Sequence, residues 1–178
     1  LSLPFRNLGL SGRATYSFKD KYFTEFNFGY NGSERFDQAK RFGFFPSFGL
    51  AWSISNEKFW GSLKEVINNF RIRGTYGLVG NDQIGGADDR FFYLSNVNMN
   101  YGGFIYGKES TYGKTGIRVT RYANPDITWE VSYKKNLALE VGLFNEWNIQ
   151  ADYFTERRTN ILMDRADIPS TMGLTAPV

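Results

Sequence analysis

Paired carboxylates are the main catalytic chemistry open to this chain, because it contains no histidine and no cysteine. Histidine is the commonest general base and the commonest metal ligand. Without cysteine, neither a disulfide framework nor a thiolate metal site can form. Carboxylates that work together on a glycosidic bond stand about 5–9.5 Å apart. Glu130 and Glu140 lie on one alternating run, and at strand rise they are separated by ~34 Å. Asp88 and Asp89 are adjacent, but their glycine-rich surroundings hold nothing that would raise one pKa. Asp82, Asp88 and Asp89 could offer oxygen ligands to calcium, yet their spacing is not that of an EF-hand loop. Solvated loop carboxylates are the simpler reading. The chain is therefore expected to be no enzyme and to carry no cofactor.

The elements that would position these residues are strands. From Ile127 to Phe144 the odd positions up to Leu143 are apolar or aromatic except Lys135, and the even positions are polar or small. Strict alternation makes a strand with one apolar and one wet face. Strands in soluble proteins cluster near ~5–6 residues, so this run suits a tall barrel whose strands cross lipid with ~9–11 tilted residues. The same alternation recurs over Ser11–Phe18, Tyr22–Asn31, Phe44–Ser55, Phe70–Val79 and Trp147–Tyr153. Pro46 predicts a bulge or an unpaired end in the third of these. Ser62 and Glu65 match a capping box and predict a helical turn or two before the fourth.

Composition agrees with a barrel. Aromatics make up 18% of the 178 residues and glycine contributes 19. No apolar stretch approaches the ~20 residues of a membrane helix, and a barrel hides its hydrophobicity in alternate positions. The net charge of +3 is spread rather than clustered, so no basic stripe points to nucleic acid.

Connections alternate in size. Lys19–Lys21 and Asn145–Glu146 are short and the link Glu57–Asn69 is compact, whereas those from Gly32 and Gly80 are longer and glycine-rich. Short turns at one rim and long loops at the other are the outer-membrane pattern. Tyr16, Phe18, Tyr22, Trp52, Phe144 and Trp147 gather beside the short turns and are read as a membrane girdle. Arg71, Arg73, Glu130, Lys134 and Glu140 fall on the polar face. They are read as lumen-facing, pairing across strands or with a plug, or lining a solute path. Lys135 lies ~27 Å along its strand from Leu143, ~19 Å in height at 45° tilt, where an ammonium can snorkel to headgroups. The run Glu156–Arg158 reads most simply as a solvated upper strand end.

The expected fold is all-β: an antiparallel transmembrane β-barrel segment of about six strands. Six cannot close a lipid-spanning barrel, whose minimum is about eight, so a larger barrel is implied. The stretch from about 81 to 126 is expected to be one long, irregular extracellular loop. It carries Phe91, Phe92, Tyr93, Tyr101, Tyr106 and Tyr112 with asparagines between them. Aromatic faces and amides suit sugars, though the same rings could simply pack the loop on itself, the favoured reading.

The strings KDKYF (19–23), NGSERF (31–36), FFPSFGLAWSISNEKFW (44–60), RIRGTYGLVGNDQIG (71–85), NPDITWE (124–130) and DYFTERRTNIL (152–162) together resemble the C-terminal half of SusC/RagA-type TonB-linked outer-membrane transporters. The resemblance implies a barrel of about 22 strands around a plug in the outer membrane of a Gram-negative cell. It implies import of oligosaccharides or peptides, a SusD-like surface lipoprotein as lid, and coupling to TonB through a plug region. On this reading residues 1–178 are part of the barrel domain, with the plug, the TonB box and the last strand outside them. A passive porin-like barrel and a soluble β-rich glycan-binding or adhesin module are the alternatives.

Overall fold

A computed structural model describes residues 6–85 and 90–163. Six strands form one antiparallel sheet: β1 (Asn7–Phe18), β2 (Tyr22–Ser33), β3 (Phe42–Ser53), β4 (Ile67–Asn81), β7 (Glu130–Leu143) and β8 (Trp147–Thr159), in the order β1-β2-β3-β4-β7-β8. A separate hairpin, β5 (Asn96–Tyr106) and β6 (Tyr112–Arg121), stands between β4 and β7. β1 and β8 have no outer neighbour among the described residues, so the sheet is open, as a wall segment of a larger barrel must be.

Register puts the alternation to use. Phe18, Tyr22, Trp52, Ile72, Leu139 and Ala151 stand opposite one another across successive strands, so they share one face. That face is apolar and open: Leu50, Leu137, Ile149 and Tyr153 are all more than half exposed. A water-soluble domain would cover such a surface with a second layer. Here the sheet is a single layer, and no described helix is long and apolar enough to cross a membrane.

Several local expectations are corrected. The run at Ile127–Phe144 pairs only over Glu130–Leu143, because Asn124–Pro125–Asp126 turns the chain at its head and Ile127 and Trp129 go into loop packing. The link after β3 is built from 3-10 helices, Ile54–Asn56 and Lys58–Leu63, with no side-chain cap, so Ser62 caps nothing. Trp60 fixes this link by stacking on Phe70 at 5.2 Å and donating from Nε1 to the Ile67 carbonyl at 3.0 Å. The stretch 81–126 is not uniformly irregular: β5 and β6 pair through much of it. Their alternation is interrupted by register shifts near Gly102 and Gly103, which blurs the period in the sequence.

Pro46 acts as expected. It pairs with Phe28 on the β2 side, but the ladder to β4 begins only at Ser47, since proline has no N–H to give. Above that point the Phe45 ring occupies the gap, so close to Gly43 and Gly80 that a Cβ on either would lie 2.3 and 2.0 Å from it.

Candidate functional site

Three surfaces carry the chemistry: the inner face of the wall, the rim of short turns and the opposite rim of long loops. All five residues read as lumen-facing share the polar face of the sheet, in two clusters at different heights. Arg71 donates to Ser53 Oγ at 2.9 Å and approaches Glu140 at 3.7 Å. Arg73 bridges Glu140 and Asp152 at 3.8 and 3.7 Å. Asp152 also accepts from Asn136 and Gln150. Higher on the face, Glu130 takes a bond from Asn81 at 3.1 Å and meets Arg158 at 3.8 Å, while Lys134 stands opposite Glu156. These contacts are long or exposed and contribute little to stability. What they create is a charged, hydrogen-bonding lining over a hollow of about 870 Å³ bordered by Thr15, Glu25, Asn27, Arg73 and Asn136. Glu130 and Glu140 belong to separate clusters, and each faces cations or amides rather than a reacting bond.

At the short-turn rim, Tyr16, Phe18, Tyr22, Trp52, Phe144 and Trp147 all stand exposed. Two of the turns use positive φ without glycine, at Lys19–Asp20 and at Phe144–Asn145. Phe144 in this strained region is held by its N–H to the Val66 carbonyl at 2.9 Å. Tyr22 and Trp52 stack at 6.2 Å. Both donate to Glu57 Oε1, at 2.8 and 3.3 Å, while Lys21 donates to Oε2 at 2.7 Å. The Lys21 bond above all, then those from Tyr22 and Trp52, hold the Glu57 carboxyl below the ordinary glutamate range against opposing desolvation. A depressed carboxyl stabilises the fold above its unfolded pKa and loses that contribution as pH falls through the lowered folded value. Acidification is therefore expected to loosen the Tyr22–Trp52 stack. Glu57→Gln should abolish that acid response, read as the pH dependence of tryptophan fluorescence, with Trp52→Phe identifying the emitter.

At the long-loop rim, Phe36, Ile84, Phe92 and Trp129 form a buried cluster, with Phe45, Ile127 and Val131 packed on it. Trp129 lies 5.2 Å from both Phe36 and Phe45 and donates from Nε1 to the Arg41 carbonyl at 3.2 Å. Ion pairs stitch the loops around it: Arg90–Glu34 at 2.5 Å and Lys40–Asp126 at 2.7 Å. The Arg90 hydrogen bond lowers the Glu34 carboxyl, and Lys40 lowers Asp126. Phe92 thus leaves the set read as substrate-facing, because its ring is 5% exposed inside this cluster and under Arg121 at 4.2 Å. Phe91 is partly open and edge-on to Tyr93. Tyr101 meets Arg118. Tyr106 and Tyr112 stack at 5.8 Å at the hairpin tip, and Phe104 continues the stack at 6.3 Å.

Asp82 borders a polar rim hollow of about 400 Å³ with Arg6, Glu34, Arg35 and Arg90. Asp88 and Asp89 lie outside the described residues, and among those described no three potential ligands converge on a metal position. Sequence reasoning missed Glu57 as the hub joining Lys21, Tyr22 and Trp52 and the Glu34–Arg90 clasp, since both join residues far apart in the chain. It also missed a second outward aromatic band at the upper ends of β2 and β3, where Tyr30 stacks on Phe42 at 5.2 Å and Phe28 meets Phe44 at 6.0 Å. Continuing the alternation of the third strand back to Phe42 would have revealed it.

No family model matches the chain. It is 28% identical over 170 residues to TonB-dependent receptor P3 of Formosa agariphila, covering 94% of this chain and 16% of that protein. It is 32% identical over 163 residues to TonB-dependent receptor SusC of Bacteroides thetaiotaomicron, covering 89% of this chain and 15% of SusC. Among solved structures, the RagAB peptide transporter superposes with a TM-score of 0.74 at 23% identity, over 96% of this chain and 17% of that one. The chain therefore spans about one-sixth of the length of the proteins it matches.

Proposed function

Because the chain is related along nearly its whole length to TonB-dependent receptors of the SusC type, we propose that it is barrel wall and substrate-facing rim of an outer-membrane importer for oligosaccharides or peptides. The two-faced single-layer sheet carries this reading: its outward residues meet lipid, and its charged inner face seats a plug. The plug, displaced through TonB, opens the path for solute. The stacked aromatics of the β5–β6 hairpin give captured solute an apolar face, and a SusD-like surface lipoprotein closes the rim from outside.

The test is uptake by cells carrying the complete receptor. Dissipating the proton gradient should stop uptake of the growth-supporting solute; uptake that continues would identify a passive barrel instead. Tyr106→Ala with Tyr112→Ala should weaken solute binding about two- to twelvefold, since the stacked pair offers solute one aromatic contact and such a contact carries ~0.5–1.5 kcal/mol. Receptor level in the outer-membrane fraction should be unchanged. Unaltered binding in that variant would remove the hairpin from the capture site.

A further inference from the structure

The outward face of the six-stranded wall carries only two charged residues among those described, Lys135 on β7 and Arg157 on β8, and both are cations. They are neighbours. Lys135 stands opposite Thr155 and Arg157 opposite Tyr133, so the two occupy diagonal positions on adjacent strands, ~7–8 Å apart. No ion pair with a carboxylate holds either of them among the described residues. The arginines of the inner face, Arg13, Arg71, Arg73 and Arg158, all meet carboxylates. Lys135 instead lies 5.8 Å from the Tyr76 ring, and Arg157 has no ion-pair partner among the described residues.

The two cations border a hollow of about 410 Å³ with Tyr76, Tyr133, Thr155 and Thr159. Glu156 also borders it, but its carboxylate accepts from Arg158 Nε at 2.7 Å, and Glu156 shares the inner-face parity of Arg158. The hollow thus presents an ammonium, a guanidinium and hydroxyls, with its one carboxylate already engaged. Two like charges this close repel, and an apolar surround strengthens the repulsion. An anion set between them reverses its sign.

The geometry points to a binding site for the phosphate of an outer-leaflet lipid headgroup at this corner, a reading that rests on the membrane wall proposed above. Height supports the lipid as source. Arg157 lies ~34 Å along β8 from Trp147, or ~24 Å at 45° tilt, and Lys135 a few ångströms lower. Both are thus near the top of a ~25 Å apolar band. Leu137, Leu139 and Tyr153, exposed on the same face below, give the acyl chains an apolar surface. Guanidinium can grip phosphate through two parallel N–H bonds while the ammonium acts as a point charge.

The test titrates the complete receptor, purified in an uncharged detergent, with dihexanoyl phosphatidic acid and counts retained lipid by native mass spectrometry. Dioctanoylglycerol supplies chains without phosphate, and inorganic phosphate supplies the anion without chains. Retention of the phosphatidic acid alone is expected, weakened about tenfold or more in the Lys135→Gln, Arg157→Gln double variant, because charged hydrogen bonds are lost. Lys135→Arg with Arg157→Lys should retain it. Equal retention of dioctanoylglycerol, equal binding of inorganic phosphate, or an unaffected Gln double variant would overturn the site while a heat-modifiable barrel band leaves the membrane reading standing. Absence of that band would remove the membrane reading and the site with it.

Discussion

Leu139→Arg is expected to cost the folded barrel about 2–4 kcal/mol, the range for arginine on the lipid face near the bilayer midplane. Leu139 stands on the outward face between Ile72 and Ala151. It is ~14 Å along β7 from Leu143, or ~10 Å in height at 45° tilt, close to the middle of a ~25 Å apolar band. A guanidinium there must leave water, and neighbouring outward residues offer it no carboxylate. The size of the effect depends on what surrounds the residue. Leu139 is 37% exposed and packs against no second layer, so in water the same substitution would fall within about 0.5 kcal/mol of neutral. The control is Gln150→Arg, on the neighbouring strand and the opposite face of the sheet. Gln150 lies opposite Glu140 on the inner face, and arginine there gains a carboxylate. Denaturant unfolding of the complete receptor in lipid vesicles should separate the two variants by most of the predicted cost. Equal stabilities would contradict the membrane assignment of the apolar face.

What the sequence revealed and what it concealed divide along one physical line. Period-two alternation is local, and it separated the two faces of the wall strands, with Arg71, Arg73, Glu130, Lys134 and Glu140 on one and Tyr16, Phe18, Tyr22, Trp52 and Trp147 on the other. Turn chemistry was less legible. Lys19–Asp20 and Phe144–Asn145 adopt positive φ without glycine, so composition does not announce their conformation. The hairpin β5–β6 was hidden because register shifts break its alternation. Contacts that join distant segments were out of reach altogether: Lys21 with Glu57, Glu34 with Arg90, Lys40 with Asp126. Phe92 shows the consequence, since its sequence neighbours left open which rings of the loop pack and its neighbours in space bury it. Proximity in space also makes Lys135 and Arg157 a pair. In sequence one interrupts an apolar run and the other belongs to a charged string, and only the β7–β8 register joins them.

Phe36→Ala should produce the largest loss in the long-loop rim, about 3–5 kcal/mol as for other buried aromatic truncations. The Phe36 side chain is fully buried, 5.2 Å from Trp129, in the cluster that also holds Ile84 and Phe92. Those rings come from three loop segments, so the cluster is what binds the connection after β2 to the stretches on either side of the hairpin. Its polar clasps cannot replace it. Lys40–Asp126 is exposed at its carboxylate, and such pairs carry little on their own. The wall below is held by a different set of bonds, the continuous ladders from β1 to β8. The loss should therefore appear as local opening rather than as collapse of the barrel. Hydrogen exchange on the complete receptor is expected to accelerate by about two to nearly four powers of ten around residues 34–41 and 124–129 if exchange there proceeds through opening of the cluster, the rate equivalent of the predicted free energy. Protection in β2, β4 and β7 should stay as it was. Unchanged exchange at the rim would show that the clasps alone hold the loops, whereas loss of protection throughout the wall would show that rim and barrel unfold as one unit.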